Sequence, residues 1–166
     1  MFKMVLALII TTFLLADGPV VKTGQTAIYK IGDDGTYQTG LTRSYSRNAA
    51  GVVSDNTTNL QWQDDAIGSE KNWADAQTYC SNLLLDGKSD WRLPAIEELV
   101  SITDKGRHNP SIDPVFMKVT TSSYWSWTPV ASFTDDAWTV SFYSGGDDNF
   151  YAKTARLYVR CVRDEQ

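Results

Sequence analysis

The protein has 166 residues, 42% hydrophobic and 21% charged, a size and composition that fit one globular domain and not a disordered chain. Twelve per cent aromatic residues, six of them Trp, are enough for a sizeable core. With 15 basic against 20 acidic residues and no basic run, the chain lacks the phosphate-neutralising surface that nucleic-acid binding needs. The same balance gives no general attraction to anionic membranes.

The N-terminus points to export. One positive charge, Lys3, precedes an apolar run from Met4 to Leu15, and Ala16 then opens onto Asp17-Gly18-Pro19. That is the layout of a secretory signal peptide, and the run is short for a bilayer span; a membrane anchor or a buried helix is the alternative. No Cys follows the run, so lipid anchoring is not signalled. Residues 1–16 are read as a signal peptide, 17–50 as an N-terminal arm and 51–166 as the folded domain. Cleavage leaves 14 basic residues against 20 acidic, a net charge of −6. The expected address is the periplasm, the cell surface or the medium.

Residues 17–50 are rich in Gly, Thr, Asp and Ser, with one short β-like run, Ala27 to Lys30, and a turn at Gly32-Asp33-Asp34-Gly35. They form either an arm lying on the domain or a linker. Val52-Val53 and Leu60 to Gln63 read as short strands, joined by a turn over Ser54 to Asn59 whose side chains bond their own backbone.

Trp73, Ala76, Tyr79/Cys80 and Leu83/Leu84 recur at helical spacing, predicting a helix from Asn72 to Leu85. Asn72 is placed to cap it, and Asp86-Gly87 to end it. Pro94 opens a second helix that Lys105-Gly106 closes. The last third changes period: Ser123 to Thr128, Trp138 to Tyr143 and Leu157 to Val162 alternate as strands do. Ser144 to Asn149 reads as a turn-rich connection. In the final run Leu157, Val159 and Cys161 share one face, and Tyr158, Arg160 and Val162 the other. Two helices followed by an antiparallel sheet make an α+β arrangement.

Two cysteines, Cys80 and Cys161, stand 81 residues apart on inward-reading faces. In an exported chain an even count reads as a disulfide, which for a loop of this length is worth roughly 4.5 kcal/mol in the chain-entropy model. Two buried free thiols are the alternative.

The pieces also carry a resemblance. They are Trp73, Ala76 and Cys80; Asp90-Trp91-Arg92-Leu93-Pro94 with Glu98-Leu99; Tyr124-Trp125-Ser126; and Tyr158 to Arg163. Upstream lie Lys22 to Thr26, and Val53-Ser54-Asp55 with Thr58, Leu60 and Trp62-Gln63. Together they resemble the family named for the C-terminal domain of the Legionella collagen-like protein, across essentially the whole mature chain. Each motif is weak alone; the ordered set is highly specific. The resemblance implies a C-type lectin-like fold with two helices packed on a short-stranded antiparallel sheet. It implies the same helix-to-strand disulfide. Trp91 to Pro94 and Arg160 to Val162 are similar to landmarks of sulfatase-modifying-factor domains. The name-giving member is a surface adhesin for sulfated polysaccharides. This chain is acidic and has no collagen-like repeat, so that ligand is not carried over. Trp127 also stands where the family pattern leads one to expect a small hydroxyl residue.

Most striking side chains have a structural reading. Trp62, Trp73 and Trp91 sit at core periodicity, and Pro94 marks a helix start. Arg92 reads as bonded to backbone or to a carboxylate beside that start, more readily than as an anion clamp. His108, the only histidine, lies in a loop, which leaves a serine-type triad without a base and a His/Cys zinc site without ligands. Paired acids offer glycosidase chemistry only if their separation suits it, and nothing in the sequence sets that separation. Asp135, Asp136, Asp147, Asp148 and Asn149 could converge in a long loop, where calcium would want six to eight oxygens. The Glu-Pro-Asn, Gln-Pro-Asp and Trp-Asn-Asp motifs of calcium-dependent sugar binders are absent, so solvated loop acids are the commoner outcome. The Ser54–Asn59 turn is a second calcium candidate, and no other cofactor is called for.

Aromatics carry the functional expectation. Sheet alternation buries Trp138, Val140 and Phe142 together, puts Trp125 and Trp127 on one face, and leaves Tyr143, Phe150 and Tyr151 beside a Gly-rich turn. The chain reads as an exported, non-catalytic recognition or adhesion module for an extracellular glycan or protein. Its ligand surface is expected in the loops between Thr128 and Ala155, with Asp135, Asp136, Asp147, Asp148, Asn149, Phe150 and Trp127 as binding residues. One rival is a formylglycine-generating or other periplasmic enzyme, although that chemistry depends on further cysteines. Another is a surface assembly protein whose residues 17–50 pair with a neighbour.

Overall fold

A computed structural model describes residues 20–165; the expected signal peptide lies outside them. The elements in chain order are α1 (Asp34–Tyr37), β1 (Tyr45–Arg47), β2 (Val52–Asp55), β3 (Leu60–Gln63), α2 (Trp73–Ser81) and α3 (Ile96–Ser101). The strands β4 (Ser123–Val130), β5 (Phe133–Ser141), β6 (Gly146–Ala152) and β7 (Val162–Asp164) follow. They form two antiparallel sheets, one ordered β1-β2-β3-β7 and one β4-β5-β6. The α+β class holds, with two sheets in place of the single one expected.

The helices are shorter than their periodicity suggested. Asn72 caps α2 as expected, its side chain accepting from Asp75 N–H at 2.8 Å. The helix stops at Ser81 because Leu85 and Lys88 exchange both backbone hydrogen bonds at 3.0 Å. Asp86 and Gly87 sit between them at φ +53° and +70°, the two left-handed residues of a primed turn. Leu85 must be extended to enter that turn. Pro94 stands ahead of α3, not inside it: Glu98 reaches back to Ala95 N–H at 2.8 Å and starts the helix at Ile96. At the far end Thr103 bridges Ile112, so the chain is already extended well before Lys105.

The run Ala27–Lys30 is no strand. Tyr29 N–H and Lys30 N–H both donate to Asp33 Oδ2, at 2.9 and 3.2 Å, while Thr36 N–H donates to Oδ1 at 3.0 Å. One carboxylate therefore wraps the segment into a tight loop. Gly35 lies against the Ala27 carbonyl with no room for a Cβ. Residues 20–50 are docked: Arg43 donates to the Ser101 and Thr103 carbonyls, Lys105 N–H donates to the Thr23 carbonyl, and β1 is an edge strand of the first sheet.

Two clusters make the core. Val53, Trp62 and Val162 of the first sheet meet Leu99, Ile102, Tyr124, Val140 and Phe142 in one. Ala76 and Cys80 of α2 meet Trp91, Trp125, Ala137, Val159 and Cys161 in the other. Trp62 and Trp91 are buried, and Trp73 packs half-buried on the second cluster. Cys80 and Cys161 are joined as a disulfide.

Before β7 the chain bridges a different partner at each step: Leu157 to Lys71, Tyr158 to Tyr124, Val162 to Arg92. It is threaded between elements, which is why regular pairing starts only at Val162. The two expected faces survive: Leu157, Val159 and Cys161 pack in the second cluster, Tyr158 and Val162 in the first. Arg160 lies 5.0 Å from the Phe116 ring centre and, with Arg47, converges on Asp64. Asp64 is buried and also accepts Met117 and Lys118 N–H at 2.9 Å. Arg92 forks onto Glu98 at 2.7 Å through both nitrogens.

Candidate functional site

The segment expected to carry loops is the second sheet. Asp135 and Asp136 lie in β5, and Gly146 to Phe150 belong to β6, leaving only Phe142 to Gly145 as the turn between them. A sheet holds its residues apart in a way a loop need not. Asp136 stands opposite Ala152 in the ladder, five residues along β6 from Asp147, which is roughly 17 Å at about 3.3 Å per residue. The side chains of Asp148 and Asn149 lie outside the described part of the structure. Among the described residues no three His, Cys, Asp or Glu come together at metal-binding distance. The ladder therefore keeps Asp135 and Asp136 apart from Asp147. In the Ser54–Asn59 turn, Asp55 is buried and its Oδ1 accepts Thr57 and Thr58 N–H at 2.9 and 3.3 Å; it caps the turn.

What the sheet does assemble is aromatic. Trp138 and Phe150 face each other across β5 and β6, rings 5.7 Å apart and edge to face. Phe133, entering β5 beside the Ala131-Ser132 turn, stacks on Phe150 at 5.9 Å and 10°. Phe133 is 58% and Phe150 43% exposed. Trp138 is thus not sealed in the core with Val140 and Phe142. Val140 of β5 and Phe142 just after it join the cluster of Leu99 and Ile102, and Trp138 does not.

Trp125 and Trp127 also part company. Trp125 is fully buried, and its Nε1 donates to the Lys71 carbonyl at 2.8 Å. The β4–β5 register shifts after it, Ser126 Oγ donates to the Trp138 carbonyl, and Trp127 N–H turns to the Pro94 carbonyl at 2.6 Å. This bulge swings Trp127 outward to 54% exposure. There it stacks on Trp73 with centroids 5.8 Å apart and planes 28° apart.

Trp73 is held from beneath. Its Nε1 donates to the Ser126 carbonyl at 2.8 Å, its N–H to the Lys153 carbonyl at 3.0 Å, and Lys153 Nζ lies 4.5 Å from its ring centre. A cation over an indole is attracted by about 0.5–1 kcal/mol at an exposed site. Lys153 N–H in turn donates to the Asp135 carbonyl at 2.8 Å, so the Trp column is continuous with the acid-bearing strand. Such rings on a rigid scaffold give ligand-stacking area at little entropic cost.

Of the expected residues, Trp127 stands in the Trp73 stack on the α2 side of the sheet, with the Asp135 backbone beside it, and Phe150 stands with Trp138 on the opposite face. Tyr143 lies apart, its ring edge-on to the exposed His108. Lys153 and Phe133 were not foreseen. An alternating Phe133 next to a Val-Ala-Ser turn was a usable hairpin signal; Lys153 gave none.

A profile of the Lcl C-terminal domain matches residues 51–163. The chain belongs to that family. The match runs from Gly51, just before β2, to Arg163 in β7, and so takes in α2, α3 and every strand but β1. Among curated proteins none matches the chain.

Proposed function

We propose that this Lcl C-terminal domain protein is an exported recognition module of C-type lectin-like fold. It binds an extracellular glycan or protein through the surface around the Trp127–Trp73 stack and does no chemistry on it. The observation that carries this is the Trp127–Trp73 stack, a half-exposed indole mounted on a ring that backbone bonds and Lys153 hold in place. The fold reading is supported by strands from both ends of the domain lying side by side as β3 and β7, with α2 tied to the end of the chain by Cys80–Cys161. The export reading rests on the apolar run before Ala16, and places the module in the periplasm, on the cell surface or in the medium. The formylglycine-generating rival needs a reactive thiol, and the two cysteines of the chain are spent on the disulfide. A glycan array and a panel of surface proteins, probed with residues 17–166 with and without EDTA, test the proposal. Binding that persists in EDTA and is lost in Trp127→Ala supports it; a ligand converted to product by the pure protein overturns it.

A second reading, a surface assembly protein, is favoured by one observation. The loop caged by Asp33 holds Tyr29 and Ile31 in solvent at 84% and 92% exposure, and exposed apolar clusters of that kind mark protein contacts. A concentration-dependent oligomer by sizing and light scattering, returned to monomer by Ile31→Asp, is its signature.

A further inference from the structure

A second surface feature lies along α2. A groove of about 480 Å³ runs along the solvent side of α2, with Lys71, Tyr79, Asn82, Leu83, Leu84 and Arg156 in its walls. Asp75, Tyr79 and the C-cap Asn82 are spaced four and three apart on one side of α2, while Ala76 and Cys80 bury the opposite one, and Lys71 joins them from just before the helix. The backbone bridge between Lys71 and Leu157 brings Arg156 to the same edge.

The walls are held in place. Tyr79 Oη accepts from Gln63 Nε2 at 2.6 Å, and the neighbouring Cys80 is tied to Cys161. Lys71 Nζ sits 4.8 Å from the Tyr79 ring centre and donates to Ser69 Oγ at 3.0 Å.

The groove carries two cations. In an acidic chain, Arg47, Arg92, Arg107, Arg160 and Arg163 each reach a carboxylate within 3.1 Å. Arg156 reaches none among the described residues, as Arg43 does not, and Lys71, like the other described lysines, is in no ion pair. Arg156 spends one nitrogen on the Glu70 carbonyl at 2.7 Å and leaves the rest of its fork toward solvent. The one acid in the groove, Asp75, accepts the Asn72 amide at 2.8 Å. Beside the two cations Leu84 is 72% exposed and Leu83 half-buried, an apolar ledge with nothing on it.

We infer that this groove binds the C-terminal carboxylate of a peptide that ends in an apolar residue. The carboxylate lies between Lys71 and Arg156, the geometry in which a guanidinium fork and an ammonium are strongest. The last side chain rests on Leu83 and Leu84, and Asn82 and Asp75 face the peptide's own backbone groups. A leucine ledge offers nothing to a hydroxyl-rich sugar, which is why a peptide end is favoured over an acidic glycan. The site is independent of the aromatic surface, so the two readings stand or fall separately.

The test is fluorescence polarisation with labelled hexapeptides of one sequence, made with each of the twenty residues last, as free acids and as C-terminal amides. Free acids ending in Leu, Ile, Val or Phe are expected to bind the mature protein, and their amides at least about tenfold more weakly, the weight of one charge-assisted contact. Arg156→Gln and Lys71→Gln are each expected to lose a similar factor with an unchanged melting temperature, since the Lys71 backbone bonds stay in place. Leu84→Ser flattens the preference for an apolar end, and Trp127→Ala leaves binding intact. Equal binding of acids and amides, no binding by any of the twenty, or competition by inorganic phosphate as effective as by peptide overturns the inference.

Discussion

Asp64 and Arg160 form a buried ion pair at 3.1 Å in which both side chains are almost wholly withdrawn from solvent. Arg47 and two backbone N–H groups complete the carboxylate's partners. A buried charge is tolerated only when paired and bonded throughout. Asp64→Asn leaves two guanidinium groups facing a neutral amide and is expected to lower unfolding free energy by roughly 3–5 kcal/mol. Urea denaturation of both proteins reads this directly; a change below about 0.5 kcal/mol, the range of an ordinary surface site, contradicts it.

Cys80 and Cys161 are expected as one intramolecular disulfide in protein produced in an oxidising compartment. Intact mass after alkylation, with and without reductant, counts the free thiols. Blocked thiols before reduction and two labels after it are the expected pattern; two labels without reductant contradict it. Cys80→Ser with Cys161→Ser is expected to cost roughly 2–5 kcal/mol.

The Asp33 cage is expected to open in acid. Tyr29 N–H above all, with Lys30 and Thr36, holds the Asp33 carboxyl below its ordinary value of 3.8. Because the folded value lies below the unfolded one, the cage stabilises the loop above that pH, and the contribution is lost as pH falls through and below it. In an NMR titration the Tyr29 and Lys30 amide signals are expected to move together, with a midpoint under 3.8. A midpoint at or above that value, or amides that do not follow the carboxyl, contradicts the cage.

How much of this was legible beforehand follows from what period and composition encode. Alternation at Leu157 to Val162 separated Leu157, Val159 and Cys161 from Tyr158 and Val162 as the two clusters do, because a face is a local property. It failed to say that Trp138 stands outside the core that takes Val140 and Phe142, because coverage depends on where α3 ends. Asp147 to Asn149 read as a loop since Gly, Asp and Asn are poor strand formers; pairing with β5 overrides that preference. The stack of Trp127 on Trp73 joins residues 54 positions apart through a bulge, and no window of sequence contains it. Asp33 was visible as part of a turn, but not that one carboxylate would gather Tyr29, Lys30 and Thr36.

The central claim, that the surface around Trp127 carries recognition, is tested most directly by comparing Trp127→Ala with the parent. The ligand is whichever glycan or protein the screen returns for the mature chain. Trp127 is half-exposed and its lost stacking is worth about 0.5–1.5 kcal/mol, so the variant is expected to fold with a melting temperature near that of the parent. Its affinity for the ligand is expected to fall by at least about tenfold, as for an aromatic anchor at the centre of an interface. A folded variant that binds with parental affinity contradicts the account.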